Sequence, residues 1–275
     1  MVNKKKIIHI ITALNIGGAE RMLTNIVLDK YNFSKFSHYV IVLNNAGVMA
    51  QKIISEGVEV IDLRMSNFYN SFKGIILLFN ILRQHKPHIV HTWMYHSDFL
   101  GGIIAKLSGC KNIIWSIRNT HIYSGKGISS LTFWIMKSCA LLSRFIPKKI
   151  ICVSNSALNS HVKHGYDKSR CIVIENGFDL DLFKFDKKNR KRIRKDLNID
   201  ENFIIIGSIG RENEYKDYGN LIAAAEKMIC YKKDIVFLLI GVGLDHNSIF
   251  YKIAKKKRLH QYFRFLGERT DVHEI

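Results

Sequence analysis

Proline is almost missing from this chain, two residues in 275. With 47% of residues apolar, that scarcity excludes a disordered or linker-rich polymer and implies a folded, mostly regular protein long enough for two ordinary domains. Long apolar runs are also lacking: no stretch reaches the about 18 uninterrupted residues that a spanning helix needs. Lys4, Lys5 and Lys6 before the apolar run 7–14 could imitate a signal peptide. His9 breaks that run, and Gly17-Gly18-Ala19-Glu20-Arg21 opens an amphipathic pattern rather than a cleavage site, so the segment reads as a first buried strand. The cysteines (Cys110, Cys139, Cys152, Cys171 and Cys230) are odd in number, far apart and without a Cys-x-x-Cys pair. They exclude a disulfide framework and predict reduced, mostly buried thiols in a cytosolic protein.

Acidic residues are few, 23 Asp and Glu against 42 Lys and Arg, for a net charge of +19. The excess favours anionic partners, whether phosphates, nucleic acid or acidic lipid, without choosing among them. Much of it sits in the runs 184–195 and 252–258, which read as solvated helix faces. Nucleic acid is the weaker partner class, because helix-turn-helix, RNP-type and zinc-finger patterns are all missing. His85, His88, His91 and His96 are close in sequence. A strand over 88–93 would point His88 and His91 apart, so core or cleft histidines are favoured over a metal site.

Short apolar runs alternate with helical patterns, the signature of an α/β fold with parallel strands. Strands are expected at 6–12, 38–43, 58–61, 88–93, 112–117, 149–153 and 171–174. Ser97 is the expected N-cap of a helix ending at Gly109. After Asn176-Gly177 the expected division is an N-terminal domain over 1–182, a basic linker over 183–200 and a second α/β series over 201–275. The segment 128–149 mixes large apolar residues with Lys137, Arg144, Lys148 and Lys149, and reads either as a buried crossover helix or as an interfacial helix on acidic lipid.

The most informative chemistry lies where the apolar run 203–206 leads into Gly207-Ser208-Ile209-Gly210, Arg211 and, five residues on, Lys216. Glycines let backbone N–H groups approach an anion, a following helix would aim its positive dipole end at the loop, and two cations can flank a diphosphate. Leu221, Ile222, Ala225, Met228 and Ile229 place that helix. An ordinary strand-to-helix turn with two solvated cations is the plainer alternative.

Taken in order, these pieces resemble the retaining GT-B glycosyltransferases of family 4. The resemblance rests on Gly17 to Arg21, Val90-His91-Thr92 leading into Tyr95-His96-Ser97-Asp98, Cys152-Val153-Ser154, and Ile174 to Asp179. It continues through Gly210-Arg211 with Lys216, Leu239-Ile240-Gly241-Val242-Gly243, and Phe265 to Val272. It implies two Rossmann-like domains facing across a cleft, with the sugar nucleotide, a UDP- or GDP-sugar, held mainly by the second. Gly17 and Gly18 would face the donor diphosphate, as would Gly210 and Gly241. Arg211 and Lys216 would neutralise it, while Arg269 to Val272 would line the nucleobase.

Near the reacting sugar, where many relatives place a histidine, this chain has Arg118, with Asn119 next and His121 three residues on. Any of the three could inherit the role, and His91 and His96 match acceptor-side positions. The resemblance further implies no cofactor, no required metal, and a lipid-linked or polysaccharide acceptor in cell-surface glycan assembly. It places the protein in the cytoplasm, on or near the inner face of the plasma membrane. The family's Glu-x7-Glu motif is not present, and the second series has only three strands. The expectation is therefore an incomplete second domain, continued beyond Ile275 in the natural protein or lost. A non-catalytic nucleotide-binding protein is the alternative.

Overall fold

The computed structural model describes residues 4–120 and 129–275, which fall into two compact units, Met1–Gly177 and Phe178–Ile275. In the first unit seven strands form one parallel sheet: β1 (Lys5–Ala13), β2 (Phe36–Asn45), β3 (Glu59–Asp62), β4 (Ile89–Trp93), β5 (Ile113–Ile117), β6 (Lys149–Cys152) and β7 (Cys171–Val173). Their order is β3-β2-β1-β4-β5-β6-β7. The connecting helices are α1 (Gly18–Leu28), α2 (Lys30–Lys35), α3 (Gly47–Ser55), α4 (Phe68–His85), α5 (Met94–Leu107), α6 (Ser130–Leu142) and α7 (Asn155–Lys163).

Side chains alternate across the strands and feed two cores. Ile8, Ile10, Ile41, Val90, Trp115 and Ile150 belong to the larger. Ile11, Val40, Val42 and Trp93 join Leu23 and Val27 of α1 and Ile53 of α3 in the other. Burial on both faces explains why β1 and β2 read as nearly continuous apolar runs. The order of strands reverses direction between β1 and β4, and loops at the C-terminal edge beside such a switch are where open α/β sheets receive ligands.

Two expectations for this unit need correction. Helix α5 begins at Met94, directly after β4, with Trp93 at its N-cap. Ser97 is therefore not the cap but a buried helical residue, its Oγ 3.1 Å from Thr12 Oγ1; Gly109, at φ +88°, does follow the helix end. Helix α6 buries Met136, Cys139 and Ala140, while Leu131, Trp134 and Leu141 are exposed, so it is only half a buried crossover. Ile128, at the start of the expected segment, lies outside the described residues. The thiols are less buried than expected: Cys139 and Cys152 are buried, Cys110 and Cys171 are half-buried, and Cys230, in the second unit, is exposed.

The second unit holds α8 (Lys187–Asp196), β8 (Ile204–Ile209), α9 (Tyr218–Tyr231), β9 (Ile235–Ile240), α10 (Ile249–Lys256) and β10 (Phe263–Phe265). Its parallel sheet has the order β10-β9-β8. Every residue of the central β9 is buried. Tyr218, Ile222, Ala225 and Ile229 are the buried positions of α9, and Met228, expected among them, is 39% exposed.

The boundary falls at Gly177, five residues before the expected 182, and the expected linker 183–200 contains α8. Arg194 ties that helix down. It is 8% exposed, and its Nη1 and Nη2 donate to the carbonyls of Asp200 (2.6 Å) and Phe203 (3.0 Å). The remaining cations of α8 and those of 252–258 are mostly solvated.

Candidate functional site

In the second unit the turns after β8, β9 and β10 are tied to one another. Gly210 N donates to Ile240 O (2.9 Å), Glu212 N to Val242 O (2.8 Å), and Gly241 N to Gly267 O (2.7 Å). Gly241 has φ +144°, and a Cβ there would collide with the Gly210 carbonyl oxygen and lie 2.6 Å from its carbon. Only glycine fits, because the two turns meet backbone to backbone. The buried Tyr218 completes the corner, its hydroxyl donating to Gly210 O at 2.9 Å.

Lys216 is brought to this corner by a 3-10 turn over Glu214–Lys216, whose start is fixed by Asn213 Oδ1 accepting from Lys216 N (3.1 Å). Its side chain lies across Gly210: a Cβ on the glycine would stand 2.5 Å from Lys216 Cε and 3.1 Å from Nζ. Arg211 and Lys216 are exposed, and among the described residues neither forms an ion pair with a carboxylate. Two unneutralised cations beside a glycine turn suit a diphosphate. The expected helix dipole does not take part as foreseen. Helix α9 starts only at Tyr218, and the Asp217 side chain caps it, so the cation rather than the helix end meets the glycine.

Arg269 and Val272 stand after β10. Arg269 is committed to Asp271, with Nε to Oδ1 at 2.7 Å and Nη2 to Oδ2 at 2.5 Å. Those bonds raise the guanidinium's pKa and lower the carboxyl's. Val272 opens a 3-10 turn over Val272–Glu274.

In the first unit Gly17 is the N-cap of α1, and the Glu20 carboxylate folds back against it where a Cβ would be. Gly18 is open, with nothing within 4 Å of its Cβ position. The β1 loop is held by that of β2: Gly47, at φ +58°, would place a Cβ 2.5 Å from Leu14 O and Asn15 Oδ1.

Arg118 follows β5 directly and is half-buried. Its guanidinium lies 4.6 Å over the Trp93 ring, and Nη1 donates to Asn176 Oδ1 at 2.7 Å. Burial lowers its pKa to about 10. Behind Trp93 stands a file of buried histidines that the sequence alone did not place together. Trp93 Nε1 donates to His9 Nδ1 (3.3 Å), so neutral His9 carries its proton on Nε2 and gives it to His38 Nδ1 at 3.0 Å. The His91 ring packs on Trp93 at 4.6 Å. Burial, then the Arg118 charge, pushes His91 down to about 3. Burial also holds His9 well below the usual range and lowers His96. Among the described residues no group of His, Cys, Asp or Glu is placed to hold a metal ion. His121 lies outside the described residues. The signal that could have found this file was register: His9 pairs with His91 across β1 and β4.

Glycosyltransferase family 4 is the family model that matches, over residues 16–182. The chain belongs to that family. It is 26% identical over 215 residues to the UDP-Gal:alpha-D-GlcNAc-diphosphoundecaprenol alpha-1,3-galactosyltransferase of Escherichia coli, across 77% of this chain and 55% of that protein. To the capsular polysaccharide biosynthesis glycosyltransferase CapM of Staphylococcus aureus it is 24% identical over 187 residues, 66% and 48% of the two chains. The family 4 chain thus spans about half the length of the curated relatives it matches.

Among solved structures, Anabaena HepE in complex with UDP and glucose aligns with a TM-score of 0.80 at 18% identity, over 98% of this chain and 71% of that one. WaaG, a glycosyltransferase involved in lipopolysaccharide biosynthesis, aligns at 0.70 and 13%, over 98% and 71%. The α/β architecture of a seven-stranded parallel sheet plus a smaller sheet is that of the GT-B glycosyltransferases. Among the described residues no helix is long and apolar enough to cross a membrane.

Proposed function

We propose that this chain carries the sugar-nucleotide and acceptor machinery of a retaining hexosyltransferase. It would move a sugar from a UDP- or GDP-sugar to a glycan acceptor joined to lipid through a diphosphate, in cell-surface polysaccharide or glycolipid assembly. The observation that carries the reading is the corner at Gly210, where Lys216 is laid over a glycine turn beside Arg211, neither of them in an ion pair among the described residues. The UDP in HepE and the acceptor named for the E. coli relative support the choice of substrates.

In such a transfer the bond from the sugar's anomeric carbon to the diphosphate oxygen breaks as the acceptor hydroxyl attacks the same face. The departing diphosphate takes the hydroxyl's proton. Arg211 and Lys216 would stabilise the charge growing on that leaving group, and losing either would cost about 3 kcal/mol, roughly two orders of magnitude in rate. The Arg269–Asp271 pair would border the nucleobase as a fixed edge. The exposed Leu131, Trp134, Leu141 and Phe145 beside Lys137 and Arg144 support a peripheral position against acidic lipid.

Calorimetric titration with UDP and GDP, followed by product analysis with a lipid-diphosphate-linked sugar acceptor, tests the reading. Transfer with an unchanged anomeric configuration supports it. Nucleotide binding without transfer to any such acceptor favours a non-catalytic nucleotide-binding role. Failure of acidic vesicles to carry the protein in flotation at low salt removes the membrane contact.

A further inference from the structure

Among the described residues Arg118 is a cation that forms no ion pair, not even with Glu175 beside the Asn176 that holds it. It sits at the C-terminal edge of the parallel sheet, where such folds receive ligands. Trp93 supports its plane, Asn176 fixes one Nη, and its Nε is buried with no partner among the described residues. The ion pairs of the described residues leave it out, and burial is the sole cause of its lowered pKa. No Asp or Glu occurs between Asp98 and Asp167, so the loop that follows β5 cannot bring one to it. Of the two flanking acids, Asp98 is buried against Thr92 (2.5 Å), and Asp167 is taken by Ser169 and Arg170.

Holding a half-buried guanidinium without an anion is unfavourable. A planar fork braced by an aromatic face and an amide is suited to an oxyanion, and to phosphate oxygens in particular. The neighbouring His91 and His9 are neutral and cannot compete as cations.

We propose that Arg118, positioned by Asn176 and Trp93, is the receptor for a phosphoryl oxyanion carried by the acceptor, the diphosphate that joins the acceptor sugar to its lipid. This rests on the sugar-transferase reading above. The donor diphosphate has its own cations, Arg211 and Lys216, on a separate unit. With Arg211 and Lys216 assigned to the donor diphosphate, the phosphate left for Arg118 is the acceptor's. It would select phosphate-linked acceptors over neutral glycans, and would hold the reacting hydroxyl at a fixed distance from the charge.

The test is calorimetry at low salt with the full chain and three probes: farnesyl diphosphate, farnesol and UDP. The proteins are wild type, Arg118→Gln, Arg118→Lys and Asn176→Asp, each checked for an unchanged thermal midpoint. Asn176 is exposed, and its replacement by aspartate neutralises Arg118 without removing it. Farnesyl diphosphate should bind wild type well above farnesol and lose roughly 10- to 100-fold in Arg118→Gln, the range of a charge-assisted contact. The loss should be smaller in Arg118→Lys and again substantial in Asn176→Asp, with UDP affinity unchanged throughout. Equal farnesyl diphosphate binding by wild type and a folded Arg118→Gln overturns the proposal, as does farnesol binding as tightly as its diphosphate. A parallel loss of UDP affinity would reassign Arg118 to the donor. Absence of binding of both UDP and GDP by wild type would remove the sugar-transferase reading itself, an outcome read independently of the farnesyl arms.

Discussion

Lys216 occupies the space that a side chain on Gly210 would need, its Cε 2.5 Å from where a Cβ would stand. The glycine is therefore required by the lysine, and the two act together. Gly210→Ala should push the ammonium off the turn and weaken UDP binding about tenfold, with little change in the fold, because the flexible end of Lys216 can move aside. Lys216→Ala should weaken it at least as much. Calorimetric UDP titration of both variants checks this, and undiminished affinity in Lys216→Ala would detach the corner from diphosphate binding.

That corner was legible in the sequence as residue types, and the structure supplied what brings them together. Strand periodicity and glycine spacing located β8, Gly210 and Gly241, since apolar runs and turns are local signals. The 3-10 turn that carries Lys216 was not foreseen, because Asn213 capping one turn and Asp217 capping the next is an ordering of local hydrogen bonds that a helical pattern conceals. Arg118 was found by position alone. Its supports, Trp93 and Asn176, come from separate elements, 25 residues before it and 58 after, and no local pattern encodes such a meeting. Ser97 misled because a serine before an apolar run looks the same whether it caps a helix or lies one turn inside it.

Gly241 should be the least replaceable residue of the second unit. Its contact is with backbone, the Gly210 carbonyl, and its φ of +144° is closed to other residues. Gly241→Ala should cost about 3 kcal/mol, the sum of a strained dihedral and a displaced turn. Thermal unfolding should show the loss, whereas Gly219→Ala, in open space on α9, should change the midpoint little.

Arg194 differs from the other cations of α8 in being buried and bonded to two carbonyls. Arg194→Ala removes both bonds, leaving Asp200 O only the Phe203 N–H (3.2 Å), and should destabilise the second unit by about 2 kcal/mol. Arg190→Ala, on a partly exposed side chain bound at 3.4 Å to Glu201 O, should cost under about 0.5 kcal/mol. Urea midpoints of the two variants separate a charge that fastens the helix from one that only solvates it.

Acid should destabilise the first unit well before its surface carboxylates titrate. His91 is held near 3 and His161 near 4, both chiefly by burial, and burial also holds His9 well below its ordinary value. Their folded pKa values lie below the unfolded 6.5, so the unfolded chain binds more protons. Stability is full above about pH 6.5 and falls as the pH drops toward the folded values. Asp98 runs the other way. Its pKa is raised by burial, so the folded state keeps a proton that the unfolded state gives up, and acidification relieves that penalty. Five histidines lowered by burial, with His38 and His96 beside these three, outnumber the one raised carboxyl, so stability should fall as the pH drops from 6.5 to 5. Asp98→Asn removes the opposing group and should steepen the dependence. Urea unfolding at pH 7.5, 6 and 5 measures it, and a midpoint that stays level across that range would mean that these buried histidines are open to water and protons in the native state.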